Sequence, residues 1–278
     1  MLKDKVILIT GASGGIGAAS ALAFDRQGAR VAITARRKEK LDYIASEMKD
    51  PLVMVADLGD PLQCHDMINR VVAHFGRIDV LVNNAASIIV ANSDSVEPVD
   101  LLQAFSINLV APVILTQDAL LHMRHQGGGQ IINIGSPGFM MGIPFYAPYV
   151  CSKAAFSAWT RTIQAEWAGS GIMVSEYFPG YIKTDSKPDS RIGEVEQDFL
   201  MAPKQNFIAK MFTRPKTPRD VASDLVRLIL HPRPLMYSDI TVQMGAFISN
   251  IPQFRLSIAK QMAATARAKK NLSIFTEI

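Results

Sequence analysis

At 278 residues the chain is long enough to bury a full core, and an α/β chain of this size commonly stays a single domain. Hydrophobic residues make up 49% and charged residues 19%, a globular balance, and no apolar run approaches the ~20 residues of a membrane span, so a soluble protein is expected. The net charge of +4 and pI near 9.0 suit an anionic small molecule; without a long basic stripe interleaved with aromatics they exclude nucleic acid, and two separated cysteines with five scattered histidines exclude a disulfide framework and a metal site.

Met1–Lys5 runs straight into a short apolar strand without the apolar core and cleavage site of a secretory signal, so a cytoplasmic location is the default expectation. Lys5 to Thr10 reads as a buried parallel strand, followed by Gly11-Ala12-Ser13-Gly14-Gly15-Ile16-Gly17 and an alanine-rich helix ending near Gly28. Glycines let a backbone approach a pyrophosphate closely, and a helix N-terminus turns unpaired N–H groups and a positive dipole end toward it. Gly11, Ser13, Gly15, Ile16 and Gly17 are therefore candidate cofactor contacts, although the spacing differs from the usual G-x-G-x-x-G dinucleotide fingerprint.

Arg30 to Thr34 forms the next strand. A dinucleotide fold places a carboxylate for the adenosine ribose at its end, but Ala35-Arg36-Arg37 stands here, so Arg36, with Arg37, suits a 2′-phosphate and NADP(H) is expected over NAD(H). Leu52 to Ala56 is a third strand leading to Asp57 and Leu58, where Asp57 either frames the adenine or caps a turn. A helix from about Pro61 to Phe75 and a strand from Asp79 to Val82 follow. The strand ends in Asn83-Asn84-Ala85-Ala86, where small residues admit a ligand and the Asn side chains can brace neighbouring loops.

A long helical pattern over about 99–124 holds Asn108 just before Pro112, which predicts a local break; Asn108 there either caps freed backbone groups or holds a water near Lys153. Gly127-Gly128-Gly129 turns the chain into a fifth strand, Gln130 to Ile134, which delivers Ser136 at the C-terminal sheet edge, where open parallel sheets bind ligands. Tyr149 and Lys153 stand four residues apart at the start of a helix reaching about Ala168, so both side chains share one face. An ammonium beside a phenol favours the phenolate, which would let Tyr149 exchange a proton with a substrate oxygen near neutral pH, while Ser136 offers that oxygen a hydrogen bond.

A sixth strand, Ile172 to Tyr177, ends in the Pro179-Gly180 turn, beyond which the Ile182 backbone and the Thr184 hydroxyl could meet a nicotinamide carboxamide or phosphate or simply serve a turn and helix cap. Residues 185–216 break the alternation with three prolines and an apolar patch including Phe199, Met201 and Phe212; a lid over an apolar substrate and a buried helical pair both account for it. Met140, Met141, Ile143 and Phe145 add a second apolar wall. A helix from Pro218 to Leu230 and a strand from Ile240 to Gln243 are expected to complete the sheet. The 246–278 extension repeats Phe254, Ile258 and Met262 at helical spacing with Arg255, Lys260 and Arg267, an amphipathic helix suited to docking on a subunit or to peripheral contact with an anionic membrane.

In their order, Thr10-Gly11-x-x-x-Gly15-x-Gly17, Asp57, Asn83-Asn84-Ala85, Asn108, Ser136, Tyr149-x-x-x-Lys153 and Pro179-Gly180 with Thr184 resemble the short-chain dehydrogenase/reductase family over about residues 5–243. The resemblance implies a doubly wound, Rossmann-type α/β fold with about seven parallel strands and a catalytic tetrad of Asn108, Ser136, Tyr149 and Lys153. It implies that Tyr149 is the general acid/base, that Ser136 positions the carbonyl, that Lys153 binds the nicotinamide ribose and lowers the phenol pKa, and that Asn108 organises a water relay. Asp57, Asn84 and the Pro179-Gly180 turn would contact the cofactor. Homodimers or homotetramers are common in the family. Ala86 replaces the usual glycine, Pro137 follows the serine and Pro148 precedes the tyrosine, departures that bear on specificity more than on chemistry. The expected activity is interconversion of a carbonyl and a secondary alcohol on a lipophilic substrate, without metal. An NADP(H)-binding sensor or scaffold with no turnover is the alternative, and the intact acid/base set argues against it.

Overall fold

The computed structural model describes residues 1–180, 182, 189–190, 216–249, 251–253, 256–257 and 260. Thr184, nearly all of the expected 185–216 lid, and the residues that set the apolar spacing of the C-terminal tail lie outside the described residues.

Strands β1 (Val6–Thr10), β2 (Arg30–Ala35), β3 (Leu52–Val55), β4 (Val80–Asn83), β6 (Gly129–Ile134), β7 (Ile172–Phe178) and β9 (Leu235–Tyr237) form a seven-stranded sheet in the order β3-β2-β1-β4-β6-β7-β9, every pairing parallel. Two two-residue strands, β5 (Ile89–Val90) and β8 (Asp189–Ser190), pair beside it. Parallel strands are covered on both faces, which is why β1 is apolar and buried along most of its length. Helices α1 (Gly15–Arg26), α2 (Lys38–Ser46) and α9 (Pro218–Leu230) supply one core layer, with Phe24, Leu41 and Leu225 buried against Ile7, Ile9 and Ile33. The opposite layer packs Val71, Leu115 and Ile163 from α4 (Met67–Phe75), α6 (Ala111–His125) and α8 (Ala147–Glu166) against Leu8, Leu81 and Ile131. The fold is a doubly wound Rossmann-type domain, and the order reverses between β1 and β4, which opens a crevice at their C-terminal ends.

The structure corrects three expectations about elements. The last sheet strand is Leu235–Tyr237, while Ile240–Gln243 begins the helix α10 (Ile240–Ser249). Asp239 Oδ1 accepts from the Thr241 and Val242 N–H groups at 2.9 and 3.0 Å, so a local cap outweighs the β preference of Ile-Thr-Val. The single helix expected over 61–75 is divided into α3 (Pro61–His65) and α4 at Asp66, and Asp60 caps α3 at Leu62 N. The helical run 98–125 is long and apolar enough to cross a membrane by length and composition, contrary to the expected lack of such a segment; half of its most apolar window is buried in the fold. The break foreseen near Pro112 is real: α5 (Pro98–Phe105) passes into a π-turn, Ser106–Val110, before α6.

Candidate active site

The glycine turn joins β1 to α1 at the switch point. Gly11 has φ +71°, and a Cβ there would stand 2.8 Å from Ala85 Cα; one on Gly17 would lie 2.3 Å from the Gly11 carbonyl oxygen and 2.7 Å from Asn84 Nδ2. Both positions therefore exclude side chains so that the turn can close on the 84–85 loop. Helix α1 starts at Gly14–Gly15 with no capping side chain and no acidic residue in its first turn, which leaves its N–H donors and positive dipole end open to an anion. Arg37 Nη2 donates to Ser13 Oγ at 2.9 Å and would lie 4.0 Å from a Cβ on Gly14, so this guanidinium lies over the turn, while Arg36 is exposed beside it. This chemistry fits a dinucleotide: a bare N-terminus for a pyrophosphate and cations where an adenosine ribose would carry its substituent.

Asn84 braces the same junction. Its side chain donates to the Thr10 carbonyl at 2.8 Å, and the Asn84 and Ala85 N–H groups donate to Thr10 Oγ1 at 3.0 and 2.9 Å. Of the two readings for Asp57, the turn is observed, since its Oδ1 accepts from Gly59 N at 2.9 Å. Leu58 is buried and Ala86 is exposed at the crevice edge. Gly180 N donates to Ser238 Oγ at 3.0 Å, which ties the Pro179-Gly180 turn to the segment after β9, and Ile182 bridges to Lys216.

At the C-terminal end of β6, Ser136 Oγ accepts from Gly138 N at 3.2 Å and lies near enough to the Tyr149 phenol to act on it. Pro148 occupies the first turn of α8, where its missing N–H costs nothing, and Tyr149 and Lys153 follow one turn apart. Lys153 is buried and its Nζ donates to the Ile134 carbonyl at 2.8 Å, two residues before Ser136. Asn108 lies in the π-turn. Its Oδ1 accepts from Ser87 N at 2.7 Å, and its Nδ2 donates to Ser87 O at 2.9 Å and Ser152 Oγ at 2.8 Å, while Ser152 Oγ donates to the Tyr149 carbonyl at 2.8 Å. Asn108 thus ties the β4 loop to the first turn of α8. Both its side-chain donors are engaged, so capping freed helix groups is not its role. The structure brings Asn108, Ser136, Tyr149 and Lys153 to one end of the β6–α8 unit.

The electrostatics depart from expectation. Burial pushes the Tyr149 phenol above its ordinary value, and the nearby Ser136 hydroxyl only partly offsets this. Burial also pulls the Lys153 ammonium down to about 8, with the Glu176 carboxylate pushing it back up. Burial is the largest cause of both shifts.

The buried partners of Asn83, and Glu176, escaped the sequence reading. Asn83 Nδ2 donates to Thr116 Oγ1 and Asn133 Oδ1, and Asn133 Nδ2 donates to Thr160 Oγ1, a buried polar ladder joining β4 and β6 to α6 and α8 under the site. Glu176 is buried on β7, and burial pushes its carboxyl up to about 7, opposed by the nearby Ser157 hydroxyl and the Arg161 and Lys153 cations. Between about 4.5 and 7 the folded chain holds a proton on Glu176 that the unfolded chain has released, so its contribution to stability falls as pH rises through this window, by up to about 3 kcal/mol. Urea unfolding of Glu176→Gln should show a flatter pH dependence from 5 to 7; a slope equal to wild type would contradict this.

The comparisons agree with this geometry. The family model described as short chain dehydrogenase matches residues 5–194. The 11-beta-hydroxysteroid dehydrogenase 1A of Arabidopsis thaliana is 34% identical over 190 residues, 66% of this chain and 54% of that protein. A short-chain dehydrogenase from Streptomyces avermitilis superposes with a TM-score of 0.76 at 25% identity over 96% of this chain and 98% of that one. A 3-ketoacyl-(acyl-carrier-protein) reductase from Brucella melitensis, solved with NADH, gives a TM-score of 0.74 at 25% identity over 85% and 97% of the two chains. With a family model matched along most of the chain and a switch-point crevice leading to Ser136, Tyr149 and Lys153, this chain belongs to the short-chain dehydrogenase/reductase family of NAD(P)(H)-dependent oxidoreductases.

Proposed function

We propose that this chain interconverts a carbonyl and a secondary alcohol on a lipophilic substrate with NADP(H), and that Tyr149 exchanges the proton on the substrate oxygen. The observation that carries this reading is that Tyr149 and the buried Lys153 stand one turn apart on α8, with Lys153 Nζ held by the carbonyl of Ile134, two residues before Ser136. When bound, the nicotinamide supplies or accepts the hydride. Ser136 holds the substrate oxygen against the Tyr149 hydroxyl, Tyr149 gives or takes the proton at that atom, and Lys153 presents its ammonium to the nicotinamide ribose. Asn108, through Ser152, fixes the first turn of α8 and orients Tyr149. Gly11, Ser13, Gly15, Ile16 and Gly17 would hold the pyrophosphate, with Asn84 bracing the crevice and Ile182 near the carboxamide.

Arg37 over the glycine turn, next to Arg36 and with no carboxylate at the end of β2, supports a 2′-phosphate. Arg36→Ala combined with Arg37→Ala should weaken NADPH binding about 10- to 100-fold and leave NADH within about threefold, read as Kd by fluorescence titration. Equal losses for the two cofactors would contradict the phosphate assignment. A lipophilic substrate is supported by α7 (Gly138–Met141), which leads into the buried Ile143, and by α10, which packs against α7 and exposes Met244 and Phe247. The steroid named for the Arabidopsis relative is consistent with that class. A dimer or tetramer built on the exposed Val99, Leu102, Val110 and Leu121 of 98–125 and a cytoplasmic location complete the proposal.

A further inference from the structure

Glu176 stands on β7 opposite Asn133 of β6, on the sheet face covered by α8. Along α8, Lys153, Ser157 and Arg161 recur every four residues, so one stripe of the helix carries all three toward that face. Arg161 Nε lies 3.9 Å from Glu176 Oε2 with its own side chain mostly in solvent, while Glu176 Oε1 and Ser157 Oγ find no hydrogen-bond partner among the described residues. A Cβ on Gly135 would stand 3.2 Å from Oε1. Gly135 sits between Ile134, whose carbonyl holds Lys153, and Ser136, so the carboxylate reaches the strand end that carries the site.

A carboxylate buried to 2% with an unmatched oxygen is costly and calls for a compensating cation. The charged and titratable groups bearing on it are Arg161 and Lys153 from α8 and Tyr237 from β9. Lys153 has the reciprocal need: it is buried to 2%, and its Nζ bond is to a neutral carbonyl. Glu176 is the carboxylate that acts on it, from beside Gly135 next to the Ile134 carbonyl that holds Nζ and without a direct ion pair. We infer that Glu176 is the counter-ion of Lys153, a positioning residue that acts on the reaction only through the lysine. This rests on Lys153 belonging to the proton-exchange machinery.

In Glu176→Gln the shape stays and the charge goes, so Lys153 loses the influence that favours its ammonium. With lysine carrying 13C at Cε, the Lys153 resonance followed by NMR should titrate about one pH unit lower in Glu176→Gln than in wild type. The high-pH limb of kcat for carbonyl reduction should move down in parallel. Below about pH 7, where Glu176 itself takes up a proton, the two kcat profiles should converge. Glu176→Asp should recover part of the shift. Coincident Lys153 titrations in wild type and Glu176→Gln would overturn the inference. If Glu176→Gln does not fold, the reciprocal measurement decides: carboxyl 13C NMR of Glu176 in Lys153→Met should show its pKa raised relative to wild type, and an unmoved value would overturn the inference. Wild-type kcat in Lys153→Met would instead remove the lysine from the chemistry, a failure of the underlying reading that the two titrations do not share.

Discussion

Tyr149→Phe is expected to lower kcat by about 10²- to 10⁴-fold while leaving NADPH Kd within about twofold of wild type. The substitution removes one hydroxyl and keeps the ring, which is partly buried and meets Tyr146 edge-on at 6.4 Å between centroids. Folding and crevice shape should therefore survive while the proton donor beside Ser136 is lost. Because burial holds the phenol above its ordinary value, the neutral, proton-donating form is the favoured one at neutral pH, which suits carbonyl reduction. The check is NADPH absorbance in steady state with a panel of apolar ketones, alongside a binding titration. Turnover within threefold of wild type would take Tyr149 out of its assigned role.

Gly17→Ala is the second large effect. Its methyl group would meet the Gly11 carbonyl oxygen at 2.3 Å, backbone that gives way only if the whole turn moves, and Asn84 Nδ2 at 2.7 Å, the group that ties the 84–85 loop to Thr10. We expect a loss of about 2 kcal/mol or more in urea unfolding and about a 10- to 100-fold weaker NADPH Kd, because overpacking here displaces the N–H groups that face the pyrophosphate. Gly14→Ala is the control for stability. A Cβ there meets nothing nearer than Arg37 Nη2 at 4.0 Å and the backbone is extended, so unfolding should change by less than about 0.5 kcal/mol. Equal destabilisation by the two substitutions would contradict the steric account.

The sequence was most readable where a local pattern has one structural use. Thr10-Gly11 to Gly17 lies between a buried strand and a helix, and Tyr149 and Lys153 lie one helical turn apart; both came out in place. The Ile107-Asn108 break was readable because Pro112 withholds a backbone donor, but the destination of the Asn108 side chain was not, since Ser87 and Ser152 come from distant chain segments. Leu235–Tyr237 escaped because three residues after Pro232 and Pro234 carry no period, and Ile240–Gln243 misled because its β-branched residues outweigh Asp239 in any local reading. The direction of the Tyr149 shift was out of reach for a different reason: burial, its largest cause, is a property of the packed site. Glu176 was overlooked because a charged residue within an apolar strand becomes meaningful only once α8 places Lys153 and Arg161 above it.

A crystal structure of the chain with NADPH tests the central claim most directly. The account predicts the dinucleotide across the C-terminal ends of β1 and β4, its pyrophosphate at the Gly11–Gly17 turn, and its nicotinamide beside the Tyr149 and Ser136 hydroxyls. A nicotinamide bound away from Tyr149, with that hydroxyl turned out of the crevice, would contradict it.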